Sequence, residues 1–380
     1  MKNKTSVNMI FLISGSPVPA MLDMIIRSKN LGYTPLLIII DRGESDLIVD
    51  DASVDYEVIK LKVDYSGKGS RLLSIISIYK ILKPLLLRLD DKGFVMTSTY
   101  DLLFTAVILR LTRNFLIRHQ VRDLHKLQLG NGLIPRLLRL IEKNMLKLVD
   151  VLITSSQGFM DSYYTKLFSG KVILLENVPP LEIWNGFIKK TKNNDEIIIG
   201  FIGILRYKKS IFALIDAVEA LREKGKNVKV LFAGGSMGDD LKEIKSKITL
   251  KDGFIFSGPY KYSSDIQDLY KKIDIIYAIY DENDFNCKIA MPNKFYESII
   301  TGYPILVADN TFVGRQVEEL GIGKAISISN KLDLEKCIND VFIENSWYKS
   351  AIEKLKDTKI INYADDYKYA MDESIKLNNK

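Results

Sequence analysis

The sequence predicts two open α/β domains, each a parallel sheet wrapped by helices. Short apolar segments rich in isoleucine, valine and leucine alternate with longer stretches of helical period, the pattern of strand–helix–strand units. Midway, a proline pair and a charged run interrupt the alternation, which then restarts. The chain's 380 residues are also long for one hydrophobic core and comfortable for two.

In the first half, near-continuous apolar runs predict strands over Met9–Ser14, Pro35–Ile40, Tyr56–Leu61, Phe94–Thr97, Phe115–Gln120, Val151–Thr154 and Val172–Leu175. Helical spacing predicts helices between them, near Pro19–Leu31, Lys68–Arg88, Tyr100–Leu111, Pro135–Val149 and Gln157–Leu167. Gly15-Ser16-Pro17-Val18-Pro19 follows the first strand and reads as a strand-to-helix loop, because the apolar run before it is too short for a signal peptide. In the fourth helix Leu137, Leu138, Ile141, Met145 and Leu148 share a face, with Arg136, Arg139, Lys143 and Lys147 mainly outside it. The stripe predicts packing on the domain's own sheet, and the cations offer a contact to anionic lipid. Asn177-Val178-Pro179-Pro180 and the polar run Lys189–Asp195 mark an interdomain connector. Beyond it, strands are expected over Ile197–Ile202, Val228–Ala233, Phe254–Ser257, Ile275–Ala278 and Ile305–Ala308, with a charged helical tail after Asn345.

Composition narrows the class. With 47% hydrophobic and 27% charged residues the chain reads as soluble and globular, and no apolar run reaches the ~20 residues of a membrane-spanning helix. Cys287 and Cys337 form neither a disulfide framework nor a zinc spacing, which fits a reducing cytoplasm. A net charge of +7 suggests an anionic partner: nucleic acid, acidic lipid or a phosphorylated substrate. Nucleic acid is the weakest of these, since the cations do not interleave with aromatic residues in any recognisable module.

The most informative segment is Met291-Pro292-Asn293-Lys294-Phe295-Tyr296-Glu297-Ser298-Ile299-Ile300-Thr301-Gly302-Tyr303-Pro304-Ile305-Leu306-Val307. A polar loop enters a helix with one inward carboxylate, and a Gly-x-Pro break leads into a buried strand. The helix start suits a diphosphate, and a carboxylate one turn further in accepts hydrogen bonds from sugar hydroxyls. The segment resembles the nucleotide-sugar site of retaining GT-B glycosyltransferases, glycosyltransferase family 4 in particular, and the likeness is strong over Glu196–Ala325. It implies an α/β GT-B fold, two Rossmann-like doubly wound domains facing a central cleft. Residues 1–183 would form the acceptor side and 184–359 the nucleotide-sugar domain, with 360–380 crossing back onto the first.

The resemblance also assigns residues. Glu297 holds the donor ribose, and Pro292, Asn293 and Lys294 stand where phosphates dock, Asn293 being a favoured N-cap as well. In Gly203-Ile204-Leu205-Arg206-Tyr207-Lys208-Lys209-Ser210, Lys209 matches the family's diphosphate-binding lysine. Ile204 stands at the arginine position, Arg206 is its substitute two residues on, and Gly203 lets backbone approach a phosphate. Gly234 lies near the nucleotide or simply makes a tight turn, and Gly15 lines the acceptor side or likewise makes a tight turn. Tyr260 or Tyr262 stacks on the base or packs at the edge of the core. A family glutamate eight residues before Glu297 is replaced by Ile289, so recognition of the donor sugar does not carry over. The loop Asp281–Asn286 either reaches sugar hydroxyls or is merely solvated.

Both histidines, His119 and His125, fall in Arg118–Lys126 at a strand end. Histidine titrates near neutrality and both orients and exchanges protons. A similar strand end in the family lies near the acceptor: Asp123 matches its aspartate, Arg122 its histidine position and His125 its tryptophan position. His125, Asp123, Lys209 and Glu297 are therefore the candidate catalytic residues. The implied reaction moves a sugar from a nucleotide sugar, a UDP-sugar, to a glycan or polyprenyl-linked acceptor, with retention and with no metal or cofactor. Composition rich in Lys, Ile and Asn suggests a low-GC bacterium, hence capsule or exopolysaccharide synthesis by a cytoplasmic protein peripheral on the inner membrane face. The replacements at Ile204 and Ile289 leave a second reading, a catalytically silent GT-B subunit that binds a nucleotide sugar or partner enzyme. A third, a GT-B epimerase of a UDP-amino sugar, wants more acidic and histidine residues at strand ends than the chain has.

Overall fold

The computed structural model describes residues 6–15, 19–41, 57–62, 70–189, 196–235, 240–248, 251–328, 331–343 and 359–376. The chain divides into two compact units, Met1–Glu176 with Tyr367–Lys380, and Asn177–Asp366. In the first, β1 (Val7–Ser14), β2 (Pro35–Asp41), β3 (Glu57–Lys62), β4 (Leu89–Thr97), β5 (Leu116–Val121), β6 (Val151–Thr154) and β7 (Lys171–Leu174) alternate with α1 (Pro19–Asn30), α2 (Ser70–Leu86), α3 (Tyr100–Arg110), α4 (Leu133–Leu146) and α5 (Gln157–Ser162). The strands pair in the order β3-β2-β1-β4-β5-β6-β7, all parallel.

The second unit repeats the plan. Its strands are β8 (Ile197–Ile202), β9 (Val228–Ala233), β10 (Phe254–Gly258), β11 (Ile275–Ala278), β12 (Ile305–Ala308) and β13 (Gly323–Ile326). Its helices are α6 (Lys208–Glu223), α7 (Asp240–Ile248), α8 (Tyr262–Tyr270), α9 (Phe285–Ile289), α10 (Asn293–Thr301), α11 (Phe312–Leu320) and α12 (Lys331–Ile343). The sheet order is β10-β9-β8-β11-β12-β13, again all parallel. β8, β11 and β12 are buried along their whole length, which is why they read as unbroken apolar runs. Each sheet reverses its order once, at β1/β4 and at β8/β11, and such reversal points are where open α/β sheets bind ligands at their carboxyl ends.

Several elements depart from expectation. β4 begins at Leu89, because Val7 pairs with Leu89 before the register shifts to Met9 with Phe94. β13 escapes the apolar pattern altogether: Gly-Lys-Ala-Ile becomes a strand only by pairing with β12, so closely that a Cβ on Gly323 would lie 1.8 Å from the Ile305 carbonyl oxygen. The helix expected over Gln157–Leu167 breaks after α5 into a 3₁₀ turn at Tyr164–Lys166.

The division between units falls at Glu176/Asn177 rather than at residue 183. Trp184, 5% exposed, anchors the connector to the second unit through edge-on contacts with Tyr270 at 5.1 Å and Phe187 at 5.6 Å. Gln267 Nε2 donates to the Ile183 carbonyl at 2.7 Å, and Asn177 Nδ2 to that of Met291 at 3.1 Å. Of the polar run, Lys190–Asp195 lies outside the described residues.

The C-terminal helix Lys359–Ile375 joins the first unit from Tyr367 onward. Ala370, Met371 and Ile375 are buried among Met9, Phe11, Met21 and Phe94. The Arg118 guanidinium donates to the carbonyls of Glu373, Ser374 and Lys376 at the helix's last turn and lies 4.1 Å over the Phe94 ring. Arg27 pairs with Asp372, and the Tyr367 hydroxyl donates to Asp23 at 3.2 Å.

α4 corrects its predicted stripe. Met145 is buried, Leu138, Ile141 and Leu148 are half-buried, and Leu137 faces outward. Turned inward beside Met145 and Leu146 is Glu142, whose carboxylate accepts from Gln128 Nε2 at 2.9 Å, the Tyr163 hydroxyl at 2.5 Å and the Tyr164 hydroxyl at 3.1 Å. No helix among the described residues is long and apolar enough to cross a membrane.

Candidate functional site

At the reversal point of the second sheet, β8 runs out into Gly203–Tyr207 before α6 begins. The ends of β8, β9 and β10 are knitted together: Gly203 N donates to Ala233 O and Gly234 N to Gly258 O, both at 2.8 Å. Gly234 has φ +143°, and a Cβ there would sit 1.8 Å from the Gly203 carbonyl oxygen. Backbone passing backbone accounts for this glycine. Gly203, at φ +151°, has open space where a Cβ would be.

Tyr207 is the N-cap of α6 and supplies no side-chain acceptor, so the first-turn amides are left for water or a ligand. Lys209 is exposed on that turn and, among the described residues, has no ion-pair partner. Lys208 pairs with Glu243 instead. Arg206 folds back over the Tyr207 ring at 4.8 Å and donates to its hydroxyl at 2.5 Å. Tyr207 in turn stacks on Tyr280 at 4.8 Å with 29° between the rings. Since Tyr280 follows β11, this pair bridges the two strands at the reversal, and Ser210 Oγ reinforces it by donating to the Ile279 carbonyl.

Glu297 lies in α10 with no exposure. Its carboxylate accepts from Tyr262 at 2.8 Å, from Tyr270, and from Lys294 Nζ at 2.6 Å. Burial first, and then the Glu297 charge, push the phenols of Tyr260, Tyr262 and Tyr270 above the usual tyrosine range, so they stay protonated and able to donate. Tyr280 is raised too, by burial first and then by the charges of Tyr207 and Glu297. Tyr207, Tyr270 and Tyr280 were not singled out from sequence; for Tyr207 and Tyr280 the available signal was an aromatic residue in the loop after each strand at the sheet reversal, whereas Tyr270 ends α8.

Other expectations shift locally. Pro292, not Asn293, is the N-cap of α10: its fixed φ and extended ψ of 152° suit that position, and Asn293 becomes the exposed first helical residue. Lys294 points at Glu297 and lies over the Tyr270 ring rather than reaching for a phosphate. Tyr260 is half-buried beside this cluster. Asp281 accepts from the Asn283 amide, and Asp284 caps α9 through the amides of Asn286 and Cys287, so the loop expected at Asp281–Asn286 is partly helix. Ile289, at the lost glutamate position, is buried.

In the first unit, β5 leads into Arg122–His125. His119 is buried with Nδ1 2.8 Å from Thr97 Oγ1, and burial pushes its imidazole down to about 4, so it is neutral at pH 7. His125 is exposed, and its Nδ1 accepts from the Leu127 amide at 3.2 Å. Asp123 is exposed beside Arg122, whose guanidinium burial lowers to about 10. Gln128 clamps the loop, accepting from the His125 amide at 2.8 Å while donating to Glu142. Gly15 takes φ +73°, a left-handed turn that needs glycine on its own account; Ser16 and Pro17 lie outside the described residues.

Residues 182–358 match the model of the glycosyl transferases group 1 family. The succinoglycan biosynthesis protein ExoL of Rhizobium meliloti (strain 1021) is 25% identical over 217 residues, 54% of this chain and 53% of that protein. The chain thus spans about half the length of the curated relative it matches. A glycosyltransferase from Rickettsia africae superposes with TM-score 0.71 at 16% identity, covering 99% of this chain and 100% of that one. Anabaena HepE, crystallised with UDP and glucose, gives TM-score 0.68 at 15% identity over 96% and 99% of the two chains. The chain has the GT-B fold, and residues 182–358, within its second unit, are similar to the glycosyl transferases group 1 family.

Proposed function

We propose that this chain is a glycosyltransferase of surface-polysaccharide synthesis, moving a hexose from a UDP-sugar to a glycan or lipid-linked acceptor, with retention and without a metal. The observation that carries the reading is the reversal point of the second sheet. There an exposed Lys209 stands in the first turn of an uncapped helix, the Tyr207–Tyr280 stack joins the ends of β8 and β11, and the buried Glu297 carboxylate lies in α10 between β11 and β12. HepE, bound to UDP and glucose, supports the donor class, and the name of ExoL supports the pathway class.

In this reading the bond from the anomeric carbon to the diphosphate breaks, its electron pair going to the diphosphate oxygen. Lys209, Arg206 and the first amides of α6 neutralise the departing charge. The acceptor oxygen bonds the anomeric carbon on the same face, and its proton passes to the leaving phosphate. The ribose diol takes the place of the Tyr262 hydroxyl on Glu297, and Tyr260 stacks on the base. His125 and Asp123 of the first unit orient the acceptor hydroxyl, which is taken up at the inner face of the membrane.

Thermal-shift measurements with UDP-, GDP-, ADP- and CDP-sugars test the binding step, since a ligand of the native state raises the melting point. No shift with any of them removes the reading. Lys209→Met, at an exposed position, is expected to leave the fold intact and lower kcat by about 100- to 1000-fold. A silent GT-B subunit is favoured by buried Ile289 and by the engagement of both Glu297 oxygens. A UDP-sugar shift with neither transfer nor donor hydrolysis would select it.

A further inference from the structure

α4 buries Met145 and Leu146 against its own unit yet carries a second apolar row on its outer face. Its acidic residue, Glu142, is 1% exposed and held by Gln128, Tyr163 and Tyr164, while Leu133, Leu137 and Leu140 on the opposite face are 84%, 57% and 58% exposed. Those leucines recur at i, i+4 and i+7, one continuous helical stripe, and Ile134 beside them is 65% exposed. A helix that merely covered its own sheet would place this row inward. The flanking charges all have one sign: Arg136, Lys143 and the C-cap Lys147 are exposed along one edge of the leucine row. Glu142, the one acid of the helix, is withdrawn from that surface.

We propose that the outward face of α4 docks on an anionic lipid surface, Leu133, Leu137 and Leu140 entering the headgroup layer while Arg136, Lys143 and Lys147 meet the headgroup phosphates. Charge complementarity selects this occupant, since an apolar stripe edged only by cations matches a bilayer carrying negative headgroups. A second copy of the chain would bring the same cations against each other. The face is fixed to the candidate acceptor loop: Arg139 donates to the carbonyls of Gln128 at 2.7 Å and Gly130 at 2.8 Å, and Gln128 holds the His125 amide. Docking here would present that loop at the surface where a lipid-linked acceptor resides. The proposal sharpens the peripheral placement given under the proposed function and needs no part of the donor chemistry.

The test is sedimentation of the full chain with vesicles of phosphatidylcholine alone, or mixed equally with phosphatidylglycerol. Wild type is expected to pellet with the mixed vesicles and not with phosphatidylcholine alone. Leu133→Ser/Leu137→Ser/Leu140→Ser should weaken that binding by about a hundredfold or more, since burial of apolar area drives insertion. Arg136→Gln/Lys143→Gln/Lys147→Gln should abolish the preference for phosphatidylglycerol and the sensitivity to salt. Both variants alter exposed side chains, so unchanged thermal transitions establish that they fold, and an unchanged UDP-sugar shift separates this proposal from the transferase reading. Wild type that ignores both vesicles, binds them equally, or binds undiminished in the leucine variant would overturn it. So would a dimer in place of vesicle binding that the leucine variant dissolves.

Discussion

Glu297 sits at the centre of the site as half of a buried ion pair. Removing one member of such a pair leaves an uncompensated charge and costs about 3–5 kcal/mol, whereas replacing both by apolar residues of similar volume is near neutral. Glu297→Leu is therefore expected to destabilise the second unit by about that amount, and adding Lys294→Met should recover only part of it. The remainder is the unpaired Tyr270 hydroxyl, a buried donor worth about 1–3 kcal/mol. Denaturation of the single and double variants checks this; additive losses would refute the pairing. Ligand tests at Glu297 are accordingly best made with Glu297→Gln, which keeps an acceptor for the phenols. His119 offers a pH prediction. Its folded value is lowered to about 4 from 6.5, so its contribution to stability is complete above pH 6.5 and is lost as pH falls toward 4. That window corresponds to about 3 kcal/mol, and His119→Gln, which cannot titrate, should flatten the difference in melting temperature across it. An unchanged pH slope would contradict the burial argument. The inward carboxylate of Glu297 was legible in its segment, because a lone acid among apolar neighbours on a helix is conspicuous. Its partners were not: Tyr270 lies 27 residues away and Tyr262 35, and only packing brings those phenols onto it.

At the scale of elements, the strands were legible because strands covered on both faces become unbroken apolar runs. Sides and ends were less so. A helical wheel finds the stripe in α4 but not which stripe turns inward, and three polar partners drew Glu142 into the interior. α9 is stabilised by the Asp284 cap rather than by any apolar period, so the loop reading missed it. The glycines of the β8 and β9 ends allow a comparison between two kinds of constraint. Gly203→Ala meets no atom and bears only the strain of a left-handed φ, about 1–3 kcal/mol. Gly234→Ala bears that strain and drives a methyl into the Gly203 carbonyl at 1.8 Å, which forces the two strand ends apart. Gly234→Ala should be the more destabilising and should also abolish any UDP-sugar thermal shift, while Gly203→Ala keeps a measurable one. Equal melting temperatures for the two variants would remove the crowding argument.

For the whole molecule, the restart of the strand–helix pattern made two units readable, and the return of the tail was expected from family likeness. What receives the tail was not readable. Arg118 drew attention only as a neighbour of His119, yet its guanidinium caps the last turn of the C-terminal helix, satisfying carbonyls that a helix end leaves without partners. Burial lowers it to about 10, so it remains charged at neutral pH and complements the negative end of the helix dipole. Arg118→Met would keep the stem over Phe94 but leave those carbonyls unpaired, at about 1–3 kcal/mol each. Asp372→Asn would break only the partly exposed pair with Arg27, worth under about 1 kcal/mol. Removing residues 359–380 would strip Ala370, Met371 and Ile375 from the core they share with Met9 and Met21, although the rest of that core lies between Met9 and Leu175 in the chain. Scanning calorimetry should thus resolve a transition for each unit and rank the losses in the first as deletion, then Arg118→Met, then Asp372→Asn. The second unit's transition should stay in place throughout. Equal displacement of both transitions by Arg118→Met would mean that the tail does not belong to the first unit's core.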